Sequence, residues 1–442
     1  MRIPYYPVSR STRTLLPHQK KVLRYMMSTN TPAVFIDMRL GKTILSIEYA
    51  VRKGLKNVLV LAPKSALNSW ERELAVEGIK CCKVVNRSEK TLAAIGISPW
   101  VVSNPQKLLT YKALLQRKWD LIIIDESSRI KNARSKYFKT LMRYMHTVPH
   151  KILLSGTPTP ESVLEAVPQL LFLHGEVLGC KTYWEFLGKY TMRIGYDRLL
   201  FKSAREKLMK LLHDKCYFLS QETAGVAQPR VNTLVYVPKT KKQVELFKQL
   251  RDKFEMDLNG KHYETVYILP IITWAARLAG GLMDGACVSS YKYKALKRII
   301  DRTPGQIVVW FRFNEELHYV EQRLLKLRIP CAAYYGDVTV EQRKLIEQDF
   351  RAGKYKVLLL QVKTGLYALD LSSADTAVYY SNSWSLEERI QSEKRISHPK
   401  KKSTLNYVDI VMKGWPDTTV YKALKKKNIS AKIVWEGRND RA

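Results

Sequence analysis

The chain is short of acidic residues. Against 75 Lys and Arg it carries 40 Asp and Glu, a formal net charge of +35 over 442 residues. An excess of that size repels itself in the folded state, and a polyanionic partner relieves the repulsion. A solvated basic surface without a dedicated ligand is the alternative; an acidic membrane surface is disfavoured because no basic amphipathic anchor stands out. Cysteine is scarce too: Cys81, Cys82, Cys180, Cys216, Cys287 and Cys331 are all there is. No Cys-x-x-Cys or Cys/His cluster occurs among them, which argues against structural zinc. No apolar run approaches bilayer length, and "MRIPYYPVSR" has no apolar signal core. Internal repeats of fixed period and long low-complexity stretches are missing as well. These absences together predict a reduced, soluble, cytoplasmic protein with no membrane partner.

What is present is a series of short, continuous apolar runs separated by helical patterns. "AVFI", "NVLVLAP", "WVVS", "DLIIIDE" and "KILLSGT" come first; "QIVVWF", "PCAAYYG", "KVLLLQ", "TAVYYS" and "TLNYVDIV" follow from about residue 300. Runs that are apolar at every position, rather than at alternate ones, fit parallel strands buried on both faces. The expected fold class is therefore α/β, with two parallel-sheet lobes. Residues 1–165 are expected to form the first lobe, 166–299 a mainly helical insertion or linker, and 300–442 the second lobe. "VNTLVYVP" adds one strand within the middle segment. The aromatic residues Tyr183, Trp184, Phe186, Tyr190 and Tyr196 of that segment are read as helix packing in preference to base stacking.

Polar residues at the C-terminal ends of these runs matter most, because open α/β sheets place ligands there. Gly41-Lys42-Thr43 lies between the strand "AVFI" and the helix "TILSIEYAVRKG". At such a turn the backbone N–H groups and the helix dipole meet an anion. Gly41 lets the backbone approach phosphates, Lys42 supplies a point charge, and the Thr43 hydroxyl can ligate Mg²⁺. The strict G-x-x-x-x-G-K-[ST] loop is not met, since Ile36 stands at the first glycine, so a chance Gly-Lys-Thr is the competing reading. In "LIIIDESS", Asp125 and Glu126 end the next diagnostic strand. Asp125 suits Mg²⁺, and Glu126 suits orienting and deprotonating a water that attacks the γ-phosphate; a helix cap is the plainer alternative. Loop and acidic pair on separate strands of one sheet point to ATP or GTP hydrolysis.

At this point the chain resembles the Swi/Snf type of superfamily 2 helicases and translocases, in the compact form found in phages and bacteria, over nearly its whole length. "LLPHQ", "DMRLGKT", "VLVLAPKSALNSWERE", "VVSNPQKL", "DESSRIKN" and "LLSGTPTPES" stand in the family's order. In the second lobe "IVVWFRFNEEL", "CAAYYGDVTVEQRKLIEQDF", "TGLYALDLSSADTAVYYSNSWSLEERIQ" and "YKALKKK" do the same. The resemblance implies two RecA-like lobes, ATP and Mg²⁺ as cofactors, and sequence-independent binding to duplex or branched DNA. A monomer is expected, with replication or recombination proteins as possible partners. It assigns Gln19 to the adenine edge, Leu40, Gly41, Lys42, Thr43 and Gly365 to nucleotide binding, and Lys42, Asp125, Glu126, Gln391 and Arg395 to catalysis. Ser155 and Thr157 couple the nucleotide site to DNA. Phosphate contacts are expected from Lys64, Ser65, Asn104 and Arg129 on the first lobe and from Arg312, Lys363 and Thr364 on the second.

Three departures from the family pattern follow. Arg39 stands where glycine is usual, and it is expected to fit with negative φ and its side chain turned away. Leu366 and Ala368 replace two glycines beside Gly365. His398 occupies the place of a second arginine whose reach to the γ-phosphate can be worth about 10³ to 10⁵ in rate; a shorter, mostly neutral imidazole is a poor substitute. The leading expectation is an ATP-driven DNA motor acting on forks or junctions in replication, recombination or repair. A strand-separating helicase and a weakly hydrolysing DNA-binding relic remain as alternatives. The basic tail, Lys400, Lys401, Lys402, Lys425, Lys426 and Lys427, is placed for phosphate contact or is a solvated helix end.

Overall fold

The computed structural model describes residues 14–84, 88–194, 197–265, 267–365, 369–398, 401–414 and 416–436. The chain divides into two compact units, one running up to Val226 and one from Ala227 to Asn428.

In the first unit the predicted apolar runs become strands β1 (Ala33–Ile36), β2 (Val58–Leu61), β3 (Cys81–Lys83), β4 (Trp100–Ser103), β5 (Leu121–Asp125) and β6 (His150–Ser155), joined by β7 (Cys216–Leu219). They lie in the order β3-β4-β2-β5-β6-β1-β7 with every neighbour parallel. Alternate residues of one strand serve opposite faces. Phe35, Leu59, Leu61, Ile122, Ile124 and Leu153 enter one buried cluster. Their neighbours Val34, Ile36, Val58, Val60, Ile123 and Leu154 enter the other. Each such side chain contributes roughly 1.5–3 kcal/mol when fully buried, so strands that are apolar throughout are stabilised by cover on both faces of the sheet.

The second unit repeats the plan. Strands β8 (Arg230–Val237), β9 (Ile307–Phe311), β10 (Cys331–Tyr334), β11 (Val357–Gln361), β12 (Thr376–Tyr379) and β13 (Leu405–Met412) form a sheet of order β8-β13-β12-β9-β11-β10, again all parallel. Val309, Leu359 and Val378 face one cluster, and Val308, Trp310, Leu358 and Leu360 face the other. Both units are RecA-like parallel sheets with flanking helices. In each, parallel register sends every strand's carboxyl end to the same edge.

The middle segment 166–299 divides between the two units at Val226. Phe186, Leu208 and Leu212 join the core of the first unit, and β7 pairs with β1. From Arg230 onward the chain supplies the edge strand β8 to the second sheet, and Leu246, Leu250, Ile271, Leu278 and Leu296 join that core. Short amphipathic helices bury their apolar face on the nearest sheet because they cannot stand alone. Of the aromatic residues singled out above, Phe186 is buried, Tyr190 packs on it with ring centroids 5.0 Å apart, and Tyr183 is half-buried. Trp184 is exposed under the Arg134 guanidinium, 5.0 Å from its ring, and Tyr196 lies outside the described residues.

Candidate nucleotide and nucleic-acid site

Gly41 takes φ +94° and begins the helix Lys42–Arg52, so the first-turn N–H groups open at the carboxyl end of β1. Gln19 holds this turn from the side. Its Oε1 accepts from the Leu16 N–H at 2.9 Å, and its Nε2 donates to the Leu40 carbonyl at 3.3 Å. Arg39 corrects the expectation of negative φ: it takes φ +65°, in the left-handed region, and is only half-exposed. A residue with a Cβ pays roughly 1–2 kcal/mol there, and the neighbouring contacts hold it in place. Gln221, after β7, donates from its backbone N–H to Asp37 Oδ2 at 3.0 Å and from Nε2 to the Met38 carbonyl at 3.1 Å. Gln221 therefore clamps the two residues before Arg39, and sequence reading gave no sign of it because it lies 182 positions downstream.

Lys42 Nζ donates to the carbonyls of Ile36 at 3.0 Å and Asp37 at 3.3 Å. A Cβ built on Gly156, in the loop after β6, would lie 3.7 Å from that ammonium. Thr43 is half-buried in the same first turn. At the end of β5, Asp125 Oδ2 accepts from the Trp70 indole at 2.9 Å and Oδ1 from the Glu126 N–H at 3.1 Å. Burial pushes the Asp125 carboxyl up from its ordinary range; the Trp70 hydrogen bond, the Lys42 ammonium, the Glu126 N–H and the Arg129 guanidinium oppose that shift. Lys42 and Asp125 thus share one electrostatic neighbourhood. Glu126 takes φ +55° and turns the chain off the strand into the 3₁₀ turn Ser127–Ile130. Ser155 and Thr157 are both buried, and the Ser155 hydroxyl oxygen accepts from the Thr157 N–H at 2.9 Å. The first unit therefore brings the loop, the acidic pair and the Ser-Gly-Thr-Pro turn to one edge of its sheet.

The residues expected to touch DNA on this unit follow the same strand ends. Lys64 is exposed and Ser65 half-buried after β2, and Arg129 is exposed after β5. Asn104, after β4, is buried and caps the helix Pro105–Thr110 by accepting from the Lys107 N–H at 3.0 Å.

On the second unit Arg312 follows β9. Its backbone N–H donates to Ser381 Oγ at 2.8 Å, and burial lowers the guanidinium pKa. The Ser381 hydroxyl in turn donates to Glu316, a buried carboxyl pushed up to about 7 by burial. After β11, Lys363 is exposed, while Thr364 is buried and donates its hydroxyl to Gln361 Oε1 at 2.7 Å. Gly365 has a packing reason: a Cβ there would fall 2.5 Å from Trp310 Cζ3 and 2.9 Å from Leu360 Cδ2. Leu366 and Ala368 lie outside the described residues, as does Lys400. Lys401 donates to the carbonyls of Ser372 and Ala374, both at 2.7 Å, and Lys427 to the Trp384 carbonyl at 2.9 Å.

Gln391 and Arg395 lie one turn apart on the helix Leu386–Ile396, both half-buried. That helix is fastened to the sheet by Arg389, which sequence reading missed. Its guanidinium meets Asp409 at 2.5 and 2.9 Å, Glu393 at 2.7 Å and Asn382 at 2.9 Å, and lies 3.5 Å from the Tyr379 ring centroid. The helix stops at Ile396 because Ser397 is extended. His398 is therefore past the helix end, where its backbone N–H donates to Gln228 Oε1 at 2.8 Å.

No group of three or more His, Cys, Asp or Glu able to hold a metal occurs among the described residues. Thr43 and Asp125 offer one hydroxyl and one carboxylate, the sparse donor set with which Mg²⁺ is held beside substrate phosphates. No helix among the described residues is long and apolar enough to cross a membrane.

Two family models match the chain. Residues 18–273 match the SNF2-related domain, and residues 291–399 match the helicase conserved C-terminal domain. The chain is 22% identical to the CHD3-type chromatin-remodeling factor CHR7 of Arabidopsis thaliana over 93% of its own length and 36% of that protein's. It is 21% identical to the DNA repair and recombination protein RDH54 of Saccharomyces cerevisiae over 90% of its length and 50% of that protein's. It thus spans at most half of either relative. Among solved structures, the Sulfolobus solfataricus SWI2/SNF2 ATPase core in complex with dsDNA aligns with a TM-score of 0.47 and 19% identity, covering 98% of this chain and 96% of that one.

Proposed function

The chain belongs to the SNF2-related family, and from that premise we propose that it is a DNA-dependent ATPase, a motor that hydrolyses ATP to move on duplex or branched DNA. The observation that carries this reading is the meeting of Gly41, Lys42, Asp125 and Gly156 at one sheet edge in a chain of net charge +35. Lys42 holds the phosphates, Gln19 selects adenine, and Glu126 accepts a proton from the attacking water. Thr43 and Asp125 would hold Mg²⁺, which when bound would neutralise phosphate charge. Gln391 and Arg395, on the helix Leu386–Ile396, are the further residues assigned to catalysis. Lys64, Ser65, Asn104, Arg129, Arg312, Lys363 and Thr364 are the DNA contacts, made to backbone phosphates and so tolerant of sequence. Work on forks or junctions in recombination or repair is the finer reading, and the RDH54 likeness supports it.

The test is an ATPase titration under Mg²⁺ with single-stranded, duplex and four-way-junction DNA side by side. Duplex or junction DNA should stimulate turnover, and binding should weaken with salt at a log–log slope of roughly −0.9 per phosphate neutralised. Turnover indifferent to every DNA would sink the motor reading.

A further inference from the structure

The helix Ala166–His174 is buried from Ala166 to Leu173, and that stretch is apolar except for one side chain. Gln169, 1% exposed, sits within "AVPQLLFL". Its Oε1 accepts from the Ser127 hydroxyl at 2.7 Å, and its Nε2 donates to the carbonyls of Pro158 at 2.8 Å and Glu165 at 2.9 Å. Carbonyls only accept, so the amide's orientation is fixed: nitrogen toward Pro158 and Glu165, oxygen toward Ser127. Ser127 directly follows Glu126. Pro158 belongs to the loop after β6, two residues beyond Gly156 and next to Thr157. One buried amide therefore ties the acidic turn to the Ser-Gly-Thr-Pro turn. Lys131, just past the acidic turn, pairs at 3.1 Å with Glu165, which directly precedes the helix Ala166–His174.

We propose that Gln169 is a positioning residue, acting through Ser127, that makes the acidic turn and the loop Ser155–Thr159 move as one body, so that DNA binding is transmitted to ATP hydrolysis. This rests on the motor reading above. A buried polar side chain with three satisfied hydrogen bonds is costly to break, and it transmits displacement because neither end can shift without leaving a donor or acceptor unmet. Nothing else about this helix requires a polar residue: its other buried positions are Ala166, Val167, Pro168, Leu170, Leu171, Phe172 and Leu173.

The experiment compares Ser127→Ala and Gln169→Met with the parent chain. Ser127→Ala removes only the hydroxyl and leaves both carbonyl bonds of Gln169 in place, so it keeps the test available should Gln169→Met fold poorly. Turnover is measured without DNA and at saturating duplex DNA, with the ATP KM and the melting temperature in parallel. The expected result is that the ratio of DNA-stimulated to DNA-free turnover falls about tenfold, the equivalent of one lost buried hydrogen bond, while KM changes by less than about threefold. A merely structural role would lower the melting temperature and leave the ratio intact; that outcome, in Ser127→Ala alone or in both variants, overturns the proposal. Absence of DNA stimulation in the parent chain would instead defeat the motor reading itself.

Discussion

Gln19 occupies the space that a side chain on Gly41 would need. A Cβ built on Gly41 would fall 2.4 Å from Gln19 Nε2, and the same Nε2 donates to the Leu40 carbonyl at 3.3 Å. Glycine is required at this turn twice over, by its φ of +94° and by the amide packed against it. Gly41→Ala should therefore strain the loop by about 1–3 kcal/mol and push Gln19 aside. We expect ATP affinity to fall at least about tenfold and the melting temperature to drop by about 2–12 °C, at about 2–4 °C per kcal/mol for a unit of this size. Nucleotide titration alongside thermal melting separates the two effects, and unchanged affinity would remove the loop from the site.

Lys42 meets carbonyls of the loop and lies beside Gly156 and Asp125. Lys42→Ala should abolish hydrolysis and leave the DNA dissociation constant within about twofold, since one charge at the nucleotide is not a DNA phosphate contact. ATPase assays and DNA titrations on the same preparation check this; retained turnover refutes the assignment.

The indole of Trp70 hydrogen-bonds the ionised form of Asp125 and so opposes the upward shift caused by burial. Removing it in Trp70→Phe favours the protonated carboxyl. The sign follows: the group protonates at a higher pH, so the acid limb of the pH–rate profile moves upward. A limb that stays in place, or moves down, would show that Asp125 does not govern it.

His398 lies beyond the end of the helix that carries Arg395. If a second arginine is the missing element, His398→Arg should raise turnover at saturating DNA by at least about tenfold, a modest part of what such a residue can supply. An unchanged rate in single-turnover measurements would mean that another group already fills the role.

Arg389 is a buried charge whose stability depends on its partners. Arg389→Met leaves Asp409 buried and unpaired, at a cost of roughly 3–5 kcal/mol, whereas Arg389→Met with Asp409→Leu should recover most of it. Denaturant unfolding of the single and double variants measures the difference. A loss below about 1 kcal/mol in the single variant would mean the guanidinium does not hold the helix Leu386–Ile396 to the sheet.

The strands were legible because their chemistry is local. "LIIID" and "VLLLQ" are apolar at adjacent positions, and a strand in a sheet covered on both faces buries every one of them. Gly41-Lys42-Thr43 and Asp125-Glu126 were legible for a related reason: a helix start or a strand end confers the chemistry on neighbouring residues. The same locality explains what was misjudged. Residue type alone gives Arg39 a negative φ, but it is left-handed, and the two residues before it are fastened by Gln221, 182 positions downstream and adjacent only because β7 pairs with β1.

By itself, then, the sequence determined the two parallel sheets, the net charge of +35, and the placing of Gly41-Lys42-Thr43 at a helix start and of Asp125-Glu126 at a strand end. Tertiary structure alone decided that the middle segment is shared between the two units, that Gly365 answers to Trp310, and that Trp70, Gln169, Gln221 and Arg389 bond Asp125, Ser127, Asp37 and Asp409. Periodicity along a chain records which face of an element is buried. It holds no record of which distant polar atom will complete a hydrogen bond, because that depends on distances that exist only after the sheets have packed.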